Sequence, residues 1–171
     1  MSDTRELGPV IHVSAEAIGQ PGQRRFRLRI MSAAAESASF WLEKEQLNSL
    51  GDAIETVLTD EDYRYSVPPL DDREPEPVFP LNTSVEMQTG QLSMGVDRET
   101  RRIVLIATDR PDGDDAEGGT VSFEFDFRRG HELRQEIRSV VAAGRPPCPL
   151  CTAPMSPDGH VCVRSNGHHP H

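Results

Sequence analysis

SFWLEKEQLNSLGDAIETVL, residues 39–58, contains the change of rhythm that decides the fold. Ser39-Phe40-Trp41-Leu42-Glu43 is a short strand-like run. From Lys44 onward Leu47, Leu50, Ile54, Val57 and Leu58 recur at the spacing of one helix face. The stretch therefore predicts a strand running into an amphipathic helix over Lys44–Leu58. Gly51 weakens that helix, by about 1 kcal/mol relative to alanine, without breaking it. Phe40 and Trp41 are neighbours on one strand and point to opposite faces, so Phe40 is assigned to the core and Trp41 to the other side.

Upstream, Arg24-Arg25-Phe26-Arg27-Leu28-Arg29-Ile30 alternates strictly. Phe26, Leu28 and Ile30 face a core, while Arg25, Arg27 and Arg29 face outward. Ile11–Ala17 reads as a shorter strand, ended by the turn Gly19-Gln20-Pro21-Gly22. The order is strand, strand, strand, helix.

Downstream the same order returns: strands over Gln91–Val96, Arg102–Thr108 and Thr120–Phe127, then a helix near Gly130–Ala143. A shift of 83 positions lays Ser39-Phe40 on Ser122-Phe123, and Leu50, Ile54, Val57 and Leu58 on Leu133, Ile137, Val140 and Val141. Two readings fit: an internal duplication, or two amphipathic helices that follow two strands by coincidence. Between the halves, Asp60–Leu81 carries five prolines among acidic residues. It reads as a linker, because proline removes backbone donors and fixes an extended geometry.

The expected fold class is α+β: two β-β-β-α units forming an antiparallel sheet with two covering helices, plus a C-terminal zinc-ribbon-like mini-domain. The boundaries are 1–59 for the first unit, 60–82 for the acidic proline-rich linker, 83–144 for the second unit and 145–171 for a zinc-binding tail.

All three cysteines lie in Cys148–Cys162, CPLCTAPMSPDGHVC. Cys148-Pro149-Leu150-Cys151 is a C-x-x-C knuckle whose two thiolates can turn toward one ion. Ser156-Pro157-Asp158-Gly159 then reverses the chain and returns Cys162. A fourth ligand must be a histidine. His160 and His168 both lie within reach, and His160 is preferred because it shares a strand face with Cys162. The expected ligand set is Cys148, Cys151, His160 and Cys162, with Zn2+ as the metal. Four protein ligands leave no position for water, which makes the ion structural. Prolines around the knuckle argue against a redox pair.

Formal net charge is -10, from 28 acidic and 18 basic side chains, which counts against general binding to phosphate backbones. No apolar run suits a membrane span and MSDTRELGPV does not read as a signal peptide, so a cytoplasmic protein without a membrane partner is expected. The acidic loop Asp109–Gly119 lacks the register of a calcium site and reads as a solvated hairpin loop. Gly118-Gly119 leads into a strand and makes no phosphate loop. His12 and His131 belong to no motif and are read as structural or surface residues.

Arg25, Arg27 and Arg29 form an outward basic row able to hold an anionic ligand, or simply to keep a strand edge soluble. Arg128, Arg129, Arg134, Arg138 and Arg145 extend basic character toward the tail. The functional expectation is a binding or adaptor module for a protein or nucleic-acid partner, more a platform than an enzyme. The alternative is an enzyme acting on a phosphorylated or other anionic small molecule held between the two repeats by the arginine row.

Several stretches together carry a family resemblance: the helix start Glu43–Leu47, the junction Ala143–Cys151, Pro157-Asp158-Gly159-His160-Val161-Cys162, and Arg164-Ser165-Asn166-Gly167. The chain resembles a bacterial family of uncharacterised proteins of about this length that end in a CPxCGxP…DPxGHxCPRxNG signature. The resemblance covers nearly the whole chain and is most specific over 143–167. It implies a zinc-binding tail and favours His160 over His168, since the matching histidine belongs to the signature. The chain departs from the pattern at Thr152, Ser156 and Val163, of which the knuckle position Thr152 bears most on the geometry beside the metal.

Overall fold

Alternation along Arg25–Ser32 sets the direction of the core. In this strand Phe26, Leu28 and Ile30 are buried, whereas Arg25 is exposed and Arg27 and Arg29 are half-buried. The computed structural model describes residues 4–20, 22–64, 77–110, 118–143 and 150. In chain order the elements are β1 (Thr4–Ile18), β2 (Arg25–Ser32), β3 (Ser37–Leu42), α1 (Lys44–Asp60), β4 (Val85–Asp97), β5 (Arg102–Asp109), β6 (Thr120–Asp126) and α2 (Phe127–Ala142). The protein is α+β, and the six strands close into a barrel in sequence order.

The expected antiparallel sheet needs correction. Strands β1·β2, β2·β3, β4·β5 and β5·β6 are antiparallel, but β3·β4 and β1·β6 are parallel. The physical reason is the crossover: after β3 the chain returns through α1 and the linker, so β4 starts beside β3 running the same way. The two parallel seams are what close the sheet and remove its edges.

Both β1 and β4 are longer than the alternation suggests. Each spends its first part in a parallel pairing and its second in an antiparallel one: β1 with β6 over Thr4–Pro9 and then β2 from Val10, β4 with β3 over Val85–Gln88 and then β5 from Thr89. At the changeover the register slips, between Val10 and His12 in β1 and between Thr89 and Gln91 in β4. Such bulges bend a strand and let it serve two neighbours. A further register shift, between Glu6 and Gly8 in the β1·β6 pairing, coincides with a φ of 68° at Gly8, in the left-handed region that glycine enters at little cost.

Strands and helices share one core. Phe40 on β3 and Phe123 on β6, strands that are not neighbours, stack with ring centroids 5.3 Å apart. Leu47, Leu50, Ile54 and Leu58 of α1 and Phe127, Leu133 and Ile137 of α2 join the same cluster. Helix α1 starts where the Glu43 amide donates to Gln46 Oε1 at 2.8 Å, and α2 where Asp126 Oδ1 accepts from the Arg129 amide at 2.9 Å. That aspartate cap starts α2 at Phe127, three residues before the expected start near Gly130. Gly130 lies inside the helix because a β-carbon there would sit 2.9 Å from Ile103 Cδ1.

Candidate docking site

Cross-strand register gathers the outward residues of β1, β2 and β3 into rows. Glu16, Arg27 and Trp41 stand opposite one another across β1, β2 and β3, and Ser14, Arg29 and Ser39 form the next row. Glu16 bonds Arg27, and Arg29 Nε lies 3.2 Å from the same carboxylate. Such cross-strand pairs contribute about 0.2–1 kcal/mol each, and here they also fix the direction of both guanidinium groups.

Arg25 has a different partner. Its guanidinium carbon lies 4.2 Å from the centroid of the Trp41 ring, with that of Arg27 at 5.1 Å. The indole is held in turn by its Nε1–H, which donates to Glu86 Oε1 at 2.9 Å. Stacking over an indole satisfies the face of a guanidinium and leaves its in-plane N–H donors free to bond outward. Further along the row Phe79 packs beneath Arg29, 4.2 Å from ring centroid to guanidinium carbon, and meets the His12 ring edge-on at 5.6 Å. The last residues of the linker thus lie on this face.

The sequence reading put Arg25, Arg27 and Arg29 on one face, and they are there. Their roles diverge: Arg27 and Arg29 share the one Glu16 carboxylate, while Arg25 is exposed and braced by Trp41. Trp41 is half-buried on the outer face and Phe40 is only 1% exposed, as the parity of the strand requires. Glu16 was missed as a member of the row. Only the hairpin register places it opposite Arg27.

The second basic group does not gather into a patch. Arg134 and Arg138 bind Glu55 at 2.7 and 2.5 Å, Arg129 donates to the Ile11 carbonyl at 2.7 Å, and Arg128 lies 3.5 Å from Glu132. His131 sits on α2 with Gln135 Nε2 at 3.2 Å from its Nε2. Burial, then the charge of Arg134, push its pKa below the ordinary value of 6.5, while Glu132 pulls the other way. Cys148, Cys151, His160, Cys162, the alternative ligand His168, and Arg145 lie outside the described residues. Among the described residues no cluster of three or more His, Cys, Asp or Glu side chains is placed to hold a metal.

Where β2 begins, a cavity of about 70 Å3 opens beside Trp41. Besides Trp41 it is lined by Arg24, Arg25, Glu43, Gln46, Gln88, Thr89 and Arg110. A groove of about 500 Å3 runs between α1 and β4, lined by Leu50, Ala53, Leu92 and Met94 with Glu45 as its one ionisable side chain. No described helix is long and apolar enough to cross a membrane.

These features define a small α+β barrel protein whose outer face carries an ordered arginine–tryptophan row. The chain belongs to the family described as Protein of unknown function (DUF3090), whose model matches residues 6–162. No curated protein is significantly similar to it.

Proposed function

We propose that this protein is a cytosolic binding module that docks a protein partner through Trp41 and Arg25. We further propose that residues 145–171 fold around a structural zinc ion. The observation that carries the docking reading is the exposed Arg25 guanidinium held 4.2 Å over Trp41 on a closed, rigid barrel. Tryptophan and arginine dominate interface hot spots, and a pre-stacked pair loses little side-chain entropy on binding. A protein partner is favoured over nucleic acid by the formal charge of -10 and by the engagement of Arg27 and Arg29 with Glu16.

The enzyme alternative loses support at the same place. An anionic substrate held by Arg25, Arg27 and Arg29 would compete with Glu16. The adjoining cavity, about 70 Å3, is well below the roughly 300–1,000 Å3 of small-molecule sites.

For the metal, the ligands proposed are Cys148, Cys151, His160 and Cys162. The family match ends at Cys162, past His160 and short of His168, which supports His160 as the fourth ligand. A full shell of three thiolates and one imidazole would contribute folding energy to the tail and leave no place for water.

Internal duplication of a β-β-β-α unit is part of the same proposal. Its support is a set of contacts, between the halves and within each, that follow the repeat. Phe40 stacks on Phe123 and Glu55 pairs with Arg138, each pair 83 positions apart. Gln46 donates to the bulge carbonyl of Gly90, and Arg129, 83 positions on, to that of Ile11. The Ala33 amide bonds Pro9 O at 3.0 Å and the Arg110 amide bonds Gln88 O at 2.7 Å, each just upstream of a bulge.

Affinity capture from the native cytosol, with wild-type, Trp41→Ala and Arg25→Ala proteins as baits, tests the docking reading. The partner should be lost with both variants, and its undiminished recovery on Trp41→Ala would refute the role of this face. Metal analysis of Cys148→Ser, His160→Ala and His168→Ala proteins tests the tail. Zinc should fall in the first two and stay in the third, and full zinc in His160→Ala would exclude that ligand.

A further inference from the structure

The cavity where β2 begins shares Arg25 and Trp41 with the docking reading, but its other polar side chains have no part in that reading. Arg24 and Arg25 enter it from the start of β2, Gln88 and Thr89 from β4, Gln46 from the first turn of α1, and Arg110 from just past β5. Arg24 Nε and Thr89 Oγ1 are both buried and have no hydrogen-bond partner, and Thr89 as a whole is only 2% exposed. A buried donor left unpaired costs about 1–3 kcal/mol. Two such groups around one polar hollow mark a place where something else supplies the acceptors.

The frame around the hollow is fixed. Gln46 Nε2 donates to the carbonyls of Thr89 and Gly90 at 3.3 and 3.2 Å, anchoring the β4 bulge. The Arg110 amide donates to Gln88 O at 2.7 Å, and the missing side chain of Gly90 lets the Arg110 backbone approach, since a β-carbon would lie 3.0 Å from Arg110 Cα. Arg25 is already stacked on Trp41. Glu43, largely exposed, is the only carboxylate among the described residues that line the cavity, with Oε1 3.9 Å from Arg110 Nη2.

We propose that this cavity is an oxyanion site that takes a phosphate ion or the phosphate group of a small phosphomonoester. A water molecule occupies about 30 Å3 of liquid, so a hollow of about 70 Å3 holds one tetrahedral oxyanion and little more. Among the described lining residues, three guanidinium groups stand against the single carboxylate of Glu43, an excess of positive charge in a protein that is otherwise acidic. Guanidinium forks match phosphate oxygens in pairs, and the Thr89 hydroxyl adds a neutral donor from the buried side. A flat carboxylate offers two oxygens and one charge. A phosphate dianion can answer donors from β2, β4 and the end of β5 together.

Titration of the 15N-labelled full-length protein, followed by amide shifts, tests this without any docking partner. Inorganic phosphate is one titrant and glycerol phosphate the other, with sodium chloride at matched ionic strength as the control. Saturable shifts at Arg24, Arg25, Thr89 and Arg110 are expected with phosphate and absent with chloride. Equal affinity for the ester means the pocket reads only the phosphate group, and tighter binding of the ester points to an esterified ligand.

Arg24→Gln and Arg25→Gln should each weaken binding about tenfold or more, the worth of one charge-assisted bond, and Thr89→Val a few-fold. Glu43→Gln should tighten it, a gain that misfolding cannot mimic. Absence of saturable shifts with either phosphate titrant at tens of millimolar, or binding unchanged in Arg24→Gln and Arg25→Gln, overturns the assignment.

Discussion

Replacing Gly130 with alanine sets two known effects against each other inside α2. Gly130 is a helix-interior residue, so alanine should favour the helix by about 0.8–1.0 kcal/mol. The added methyl, however, would lie 2.9 Å from Ile103 Cδ1, 3.4 Å from Phe125 Cε2 and 3.6 Å from Ile54 Cγ2. Carbon atoms in favourable contact sit about 3.5–4.0 Å apart, so Ile103 must retreat by roughly 0.6–1 Å while the other two scarcely move. Ile103, Phe125 and Ile54 are all 0% exposed, which leaves no free space behind the methyl, and overpacking of this kind costs about 1–3 kcal/mol. Sterics should win, with a net loss of about 1 kcal/mol and a melting point lower by about 2–4 °C for a chain of this size.

Urea unfolding followed by far-UV circular dichroism, read at constant slope, gives the number. A second background sharpens it. Ile103→Val removes the offending Cδ1 at its own cost of about 0.5–1.5 kcal/mol, and in that protein Gly130→Ala should become favourable. A stabilising Gly130→Ala in the native background, or an identical effect in both, would show that α2 does not seat against Ile103 as described.

Other perturbations follow from single contacts. Glu55→Gln releases Arg134 and Arg138 together, and because Glu55 is 39% exposed the loss should be only about 1 kcal/mol and should shrink in 1 M salt, as paired denaturation curves would reveal. Ala35 holds a φ of 62°, and Ala35→Gly should raise the unfolding free energy from urea curves by up to about 0.5 kcal/mol once its looser unfolded chain is discounted. His131 titrates lower in the folded protein than in the unfolded chain, so the unfolded state binds more protons as pH falls below about 6.5. Stability should therefore decline with acid across that window and be unaffected by His131 above it. His131→Gln should flatten the slope, measured as urea midpoint against pH. Asp97 acts in the same direction at lower pH: the Thr100 amide, followed by weaker bonds from the Thr100 side chain and the Glu99 amide, outweighs a desolvation effect and holds its carboxyl below 3.8. Its contribution persists at neutral pH and fades only in strong acid, a loss that Asp97→Asn should abolish in the same titration.

Much of this molecule could be read directly from residue order, because the properties concerned are local. Alternation in Arg25–Ile30 decides which side chains face in, since strand parity is a covalent fact once the backbone extends. The spacing of Leu47, Leu50, Ile54 and Leu58 does the same for α1, and all four are buried. Phe40 over Trp41 as the core residue follows from the same parity.

What the chain order could not state is who stands beside whom. Parallel pairing of β3 with β4 and of β1 with β6, which turns an expected antiparallel sheet into a barrel, depends on a crossover through α1, not on any strand's composition. The early half of β1 lay outside the expected strand, which began at Ile11; in three dimensions Thr4–Pro9 pairs with β6 before the strand passes to β2. Arg25, Arg27 and Arg29 are chemically identical in the sequence. Register alone gives two of them Glu16 and leaves the third stacked on Trp41. The cavity formed by Arg24, Arg25, Thr89 and Arg110 draws on three strands far apart along the chain. No local pattern records such a meeting, because long-range contacts are set by how the whole barrel closes and not by the neighbours a residue has along the backbone.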